Sequence, residues 1–143
     1  MKGKRTGMKR ILVVAAHPDD EILGVGATVA KHAAQGDEVY ALILGEGQTS
    51  RGEHREDISA DVVKELHQNT LESAEKVGYK EVYFADFPDN RFDQVDLLDV
   101  VKAVEHKIKE IQPEIIYTHY SGDLNIDHQY TARAVLTATR PIG

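Results

Sequence analysis

The sequence contains no cysteine. That excludes disulfides and thiolate metal sites alike, so any metal must be held by His, Asp and Glu. Positive charge is in deficit: 17 Lys and Arg face 24 Asp and Glu, a formal net charge of -7. A nucleic-acid backbone is a poor partner for such a chain. Long apolar runs are missing too, since none approaches the roughly 20 residues needed to cross a bilayer. The basic start MKGKRTGMKR is followed by apolar residues only from Ile11 to Ala16, then by a proline and three acids. That is not a secretory signal, and cytoplasmic residence is the default expectation. There is no internal repeat, linker or low-complexity segment. Residues 1–9 read as a flexible basic leader, with Met8 as an alternative start, and residues 10–143 as a single domain.

Four β-type runs, Arg10–Ala16, Glu38–Leu44, Glu81–Phe87 and Glu114–Tyr120, alternate with helical stretches. The first two are nearly continuous aliphatic runs, as expected of strands covered on both faces. The intervening GVGATVAKHAAQGD predicts a helix stopped by Gly36. A second helical stretch runs from about Asp57 to Val77, ending at Gly78. In the third, Val95, Leu98, Val101, Val104, Ile108 and Ile111 recur at helical steps before Pro113. The last, HQYTARAVLTATR, ends before Pro141. Strand and helix alternating four times predict a three-layer αβα sandwich around a mainly parallel sheet. Ligands in such folds sit beyond the carboxyl ends of the strands.

Those ends carry the chemistry. Strand one runs out into AHPDDE, strand two into LGEGQTSRGE, strand three into DFPDNRFD and strand four into THYSGDLNIDH. Packing does not ask for an imidazole and three carboxylates within five residues. His17 and Asp20 stand three apart at a strand-to-helix turn, with Pro18 fixing one φ angle between them. His128 arrives from the fourth strand end. Two imidazoles and one carboxylate form a catalytic zinc set with a position left open for water. A cation there offsets the repulsion between the acids. Asp19, beside a ligand but free of it, is placed to take a proton from that water. Glu21 is expected to accept a hydrogen bond or favour the positive end of the first helix.

Each feature has a plainer explanation. Acids before a helix are commonly caps, and Asp127 fits that role for the last helix. His32, His54 and His106 read as solvated surface residues. Gly24 and Gly26 imitate a dinucleotide fingerprint, but Val29 stands where its third glycine belongs and the preceding acids would repel pyrophosphate. Close helix-to-sheet packing explains these glycines better.

AHPDDE after the first strand, with the late DH pair, resembles the LmbE/PIG-L-like N-deacetylases. That superfamily includes N-acetylglucosaminyl-phosphatidylinositol de-N-acetylases and mycothiol-pathway deacetylases. The likeness spans Ile11 to about Pro141. It implies a Rossmann-like fold and zinc-dependent removal of an acetyl group from an N-acetylglucosamine-type substrate, small or glycolipid. It places Zn2+ on His17, Asp20 and His128, and the general base on Asp19. The family's third-loop aspartate resembles Asp89; with it, Arg51 at the end of strand two, Asn125, Asp127 and His119 are the candidate substrate-contacting positions. Asn125 departs from the histidine many members carry there, and an amide cannot supply a proton to the leaving amine. Asp19 or His119 would then do so. His67 stands loosely where members often have a substrate-binding arginine. Members generally continue past this point, so the fold is expected to be C-terminally shortened. A homo-oligomer is compatible with the sequence.

Two rivals are set beside this reading. A magnesium-binding receiver domain would use the paired acids and Asp86, but it needs a late lysine that Thr118–Gly122 lacks and leaves both histidines unexplained. A non-catalytic sugar-binding relative would have no need to keep Asp19.

Overall fold

The computed structural model describes residues 7–47 and 60–141. Four strands, β1 (Arg10–Ala15), β2 (Glu38–Gly45), β3 (Glu81–Phe87) and β4 (Ile115–Tyr117), form one parallel sheet in the order β3-β2-β1-β4. β1 and β2 are central because their sequences, RILVVA and EVYALILG, supply apolar side chains to both faces. Leu12, Val14, Leu42 and Leu44 face α4 (Leu97–Ile111) and α5 (Ile126–Ala138). Ile11, Val13, Val39 and Ala41 face the other way, against Val29 of α2 (Gly26–Ala34) and Ala74 of α3 (Ala60–Val77). Burying each such large aliphatic contributes about 1.5–3 kcal/mol, so the two central strands anchor the domain.

The expected three-layer parallel fold is present, with local differences. The first helix is split: a short α1 (Asp20–Leu23) precedes α2, because Gly24 ends the first turn and Val25 leaves helical geometry at φ -136°. Gly36 follows α2 at φ 90° as its stop signal predicts. Gly78 ends α3 at φ 121°, and a Cβ there would lie 2.7 Å from that of Ala33. In α4 the buried stripe uses Val100, Val101, Val104 and Ile111, while Leu98 is exposed. The helix starts at Leu97, which puts Leu97 in the packed register in place of its neighbour. A 3-10 turn, Phe92–Gln94, precedes α4 and seats Phe92 fully in the core. β4 is shorter than expected, pairing with β1 only across Ile115–Tyr117.

The strand order locates the site. Crossovers step from β1 through β2 to β3 on one side, then return past β1 to β4, so the direction reverses between β1 and β4. A crevice opens beyond the carboxyl ends at such a switch point. The order also differs from the 2-1-3-4-5 of receiver-type folds, where β3 neighbours β1. Here Asp86, on the edge strand, bonds His67 instead of meeting the β1 acids. The receiver alternative fails on topology.

Candidate metal centre

β1 delivers His17 and Asp20 to the crevice. The amide of His17 donates to Asp20 Oδ2 at 3.0 Å, closing a tight turn around Pro18. Nδ1 of the same histidine lies 3.4 Å from that oxygen, and Nε2 of His128, from the first turn of α5, lies 3.1 Å from it. The three ligand atoms lie within 4.8 Å of one another. Ligands at roughly 2.0–2.1 Å around a tetrahedral zinc stand about 3.3 Å apart. The spacing and the donor types therefore suit a metal ion.

Both imidazoles are held from behind. Nε2 of His17 lies 2.7 Å from Oδ2 of Asp127, and Nδ1 of His128 lies 3.0 Å from Oδ2 of Asp123. Each carboxylate takes one ring N–H, so in the neutral ring the opposite nitrogen holds its lone pair towards the shared centre. Asp127 is fully buried; it also accepts the amides of Asn90 at 2.6 Å and Phe92 at 3.0 Å. Asp89, buried as well, lies 3.3 Å from Nε2 of His17. His17, Asp89 and Asp127 form a second group with metal-compatible spacing. Nε2 of His17, however, already serves Asp127 through its proton.

Charge in the metal-free site follows from this packing. Burial pulls the His17 imidazole towards neutrality, but hydrogen bonds and charge from Asp127 and Asp20 outweigh it and raise its pKa to about 9. The ring thus carries a proton where the set would otherwise hold a cation. Burial likewise opposes ionisation of Asp20, yet the bond to His17 and the nearby imidazoles hold its pKa below the ordinary value. His119 behaves oppositely: burial and neighbouring His128 lower its pKa to about 4, so it is neutral near pH 7.

The remaining candidates differ in where the structure puts them. Asp19 is exposed, at the N-cap position of α1 in left-handed geometry (φ 84°), and its side chain caps nothing. Holding a non-glycine residue there costs roughly 1 kcal/mol, a strain found at functional sites. Asn125, not Asp127, caps α5: its Oδ1 accepts the amides of Asp127 and His128 at 2.9 and 3.2 Å. Its Nδ2 lies 3.4 Å from Asn90 Oδ1. Arg51 lies outside the described residues, as does His54. His106 is exposed as expected, but His32 is not a solvated histidine; it bridges Asp37 and the Tyr117 hydroxyl, each at 2.9 Å. Asp123 was missed by sequence reasoning, although its place five residues before His128 on the same loop was a usable signal. A cleft of about 320 Å³ has Asp20, His119, Asp123 and His128 on its wall. A larger hollow over α5, about 470 Å³, is lined among the described residues by no carboxylate or imidazole, so chemistry favours the smaller.

Glu21 departs from expectation. It is fully buried, and among the described residues neither carboxylate oxygen has a hydrogen-bond partner. Burial pushes its pKa up to about 7; nearby backbone amides pull it back slightly, and the charges of Asp19 and Asp20 add to the rise. Below about pH 4.5 the acid is neutral folded and unfolded; as pH rises from there to about 7 the unfolded chain ionises while the buried acid keeps its proton, so stability falls until the folded group ionises too. The full penalty is on the order of 3 kcal/mol at 1.36 kcal/mol per unit. Glu21→Gln is expected to melt higher than wild type at pH 8 in metal-free protein. It should also flatten the pH dependence of stability between about 4.5 and 7. Parallel melting curves for both proteins across that range would show that Glu21 bears no such penalty.

Comparison with known proteins follows the same lines. The chain is 30% identical over 139 residues to the uncharacterized deacetylase YaiS of Escherichia coli, covering 94% of this chain and 70% of that one. It is 32% identical over 133 residues to a probable N-acetyl-alpha-D-glucosaminyl L-malate deacetylase 2 of Bacillus cereus, covering 91% and 60%. The N,N'-diacetylchitobiose deacetylase of Pyrococcus horikoshii superposes with a TM-score of 0.77 at 21% identity, covering 91% of this chain and 49% of that one. The chain thus spans between about half and 70% of the length of these proteins. The sequence model of the family described as PIG-L, GlcNAc-PI de-N-acetylase, matches residues 12–139, and the chain belongs to that family.

Proposed function

We propose that this chain is a zinc-dependent N-deacetylase that removes the acetyl group from an N-acetylglucosamine-type substrate. The observation that carries the reading is convergence: imidazoles from two different strand ends reach one oxygen of Asp20, at 3.4 and 3.1 Å, beside an exposed aspartate that caps nothing. The names of the E. coli and B. cereus relatives support deacetylation, and the latter supports a glucosaminyl substrate.

His17, Asp20 and His128 would hold the ion. When bound, zinc supplies Lewis acidity, polarising an amide carbonyl and bringing the pKa of water it holds to about 7. The other steps fall to the chain. Asp19 accepts the proton of the attacking water on its carboxylate. Asn125, with Oδ1 committed to its cap, has only Nδ2 to offer to the oxyanion. His119 is neutral with Nε2 already accepting the Ala16 amide, so Asp19 is left to return the proton to the leaving nitrogen. Amide and water become free amine and acetate. The substrate enters by the cleft along β4, whose wall combines Leu23 and Val25 with the polar set.

The test is acetate release from N-acetylglucosamine and its glycosides, before chelation, after it, and after zinc is restored. Loss and recovery of turnover is the expected result. Undiminished hydrolysis by metal-free protein would remove the proposal. Sugar binding without turnover by the zinc-loaded protein would favour the non-catalytic reading.

A further inference from the structure

The backbone ladder between β1 and β4 runs from the Ile11–Ile115 pair to the Val13–Tyr117 pair and stops there. Two side chains continue it. Thr118 Oγ1 donates to the carbonyl of Val14, and the amide of Ala16 donates to Nε2 of His119, both at 2.9 Å. His119 also lies flat on His128, with ring centroids 3.9 Å apart and planes at 13°. A single imidazole therefore touches both halves of the proposed metal set. Ala16 directly precedes His17 on the β1 side, and His128 belongs to α5 on the far side of the crevice.

We infer that His119 is a positioning residue that fixes the distance between the β1-end ligands and His128, through its Nε2 acceptor and the face of its ring. It is not itself a ligand. Its Nε2 lone pair is taken by the Ala16 amide, although that nitrogen stands only 3.6 Å from Asp20 Oδ2. β4 ends its backbone pairing with β1 at Tyr117, and among the described residues the bond from the Ala16 amide to His119 is what ties the level of Ala16 to the β4 side. Asp123 sets the tautomer of His128 through Nδ1, whereas His119 sets the plane of the ring; the two constraints act on different degrees of freedom. A flat ring with a hydrogen-bond acceptor at its edge meets both demands, and the His119 imidazole supplies both.

This inference rests on the metal reading above, and its test separates the two. Zinc affinity of the full chain is measured by competition with a chromophoric chelator, alongside melting of the metal-free protein. His119→Ala is expected to weaken zinc binding about 10–100-fold, the usual loss when an outer-shell partner is removed. His119→Gln keeps an acceptor without the ring, and His119→Phe keeps the ring face without the acceptor. Each should fall between Ala and wild type. Thr118→Val removes the neighbouring rung, which touches no ligand; it should lower metal-free stability yet bind zinc as wild type does. Wild-type affinity in His119→Ala would overturn the inference. Should that variant fail to fold, wild-type affinity in both Gln and Phe variants would do the same, and weakened binding in both would support it. A wild-type chain that takes no zinc, or takes it equally well as Asp20→Ala, defeats the metal reading and this inference with it. Tight wild-type binding with unaffected His119 variants defeats this inference alone.

Discussion

Asp19→Asn is expected to lower kcat about 10²–10⁴-fold, the range a positioned general base supplies, while zinc content and melting temperature stay at wild-type values. The structure makes this a clean experiment. The Asp19 side chain makes no cap hydrogen bond, so its removal costs α1 nothing. Its backbone sits at φ 84°, a conformation asparagine tolerates as readily as aspartate. The shape of the side chain is kept; its charge and its ability to take a proton are lost. Asp19→Gly sharpens the contrast: it relieves roughly 1 kcal/mol of backbone strain and so should raise stability, while losing activity as fully as the asparagine variant. A more stable, zinc-loaded, inactive protein would show that the strain is retained for chemistry. Turnover near wild type in Asp19→Asn, with acetate release as the readout, would take the base away from this residue.

Much of this was legible in the sequence because the signals were local. The aliphatic runs of β1 and β2 gave the central strands, since a strand buried on both faces has no room for polar residues. The closeness of His17 and Asp20 was legible because three residues of turn around Pro18 leave little freedom. What was hidden depended on contacts distant in sequence. Asp127 reads as a helix cap, and only the fold brings the amides of Asn90 and Phe92, 37 and 35 residues away, onto its oxygens. Its neighbour Asn125 takes the cap instead, because α5 begins at Ile126, two residues earlier than the apolar pattern suggests. His32 looked solvated because its partner Tyr117 lies 85 residues on. The burial of Glu21 was equally hidden, as nothing in a run of three acids says which one turns inward. Helix and strand ends were misplaced where the pattern faded, at β4 above all, where side chains of Thr118 and His119 replace backbone pairing.

Asp127→Ala should be the most damaging single change to the protein itself. The carboxylate is fully buried and satisfies three donors at once: the His17 ring and the amides of Asn90 and Phe92. Removing it takes the acceptor from two amides and leaves the His17 ring only the more distant Asp89 carboxylate at 3.3 Å; breaking a buried charged pair costs about 3–5 kcal/mol. For a chain of this size that corresponds to a melting temperature lower by roughly 10–17 °C. The pH dependence carries a distinct signature. His17 has its pKa raised from 6.5 to about 9 by Asp127 and Asp20, against the opposing effect of burial, so its bond is fully stabilising below about pH 6.5 and fades as pH rises through about 9. Metal-free wild type should therefore lose stability across that window, and Asp127→Ala should lose much less because the larger source of the shift is gone. Zinc affinity should fall about 10–100-fold in the same variant, since His17 loses the partner that orients its ring. These two readouts, the slope between pH 6.5 and 9 without metal and the zinc dissociation constant, test one arrangement from opposite sides. If the variant melts and binds zinc as wild type does, Asp127 is not what aims His17 at Asp20. The convergence on which the proposed chemistry depends would then need another cause.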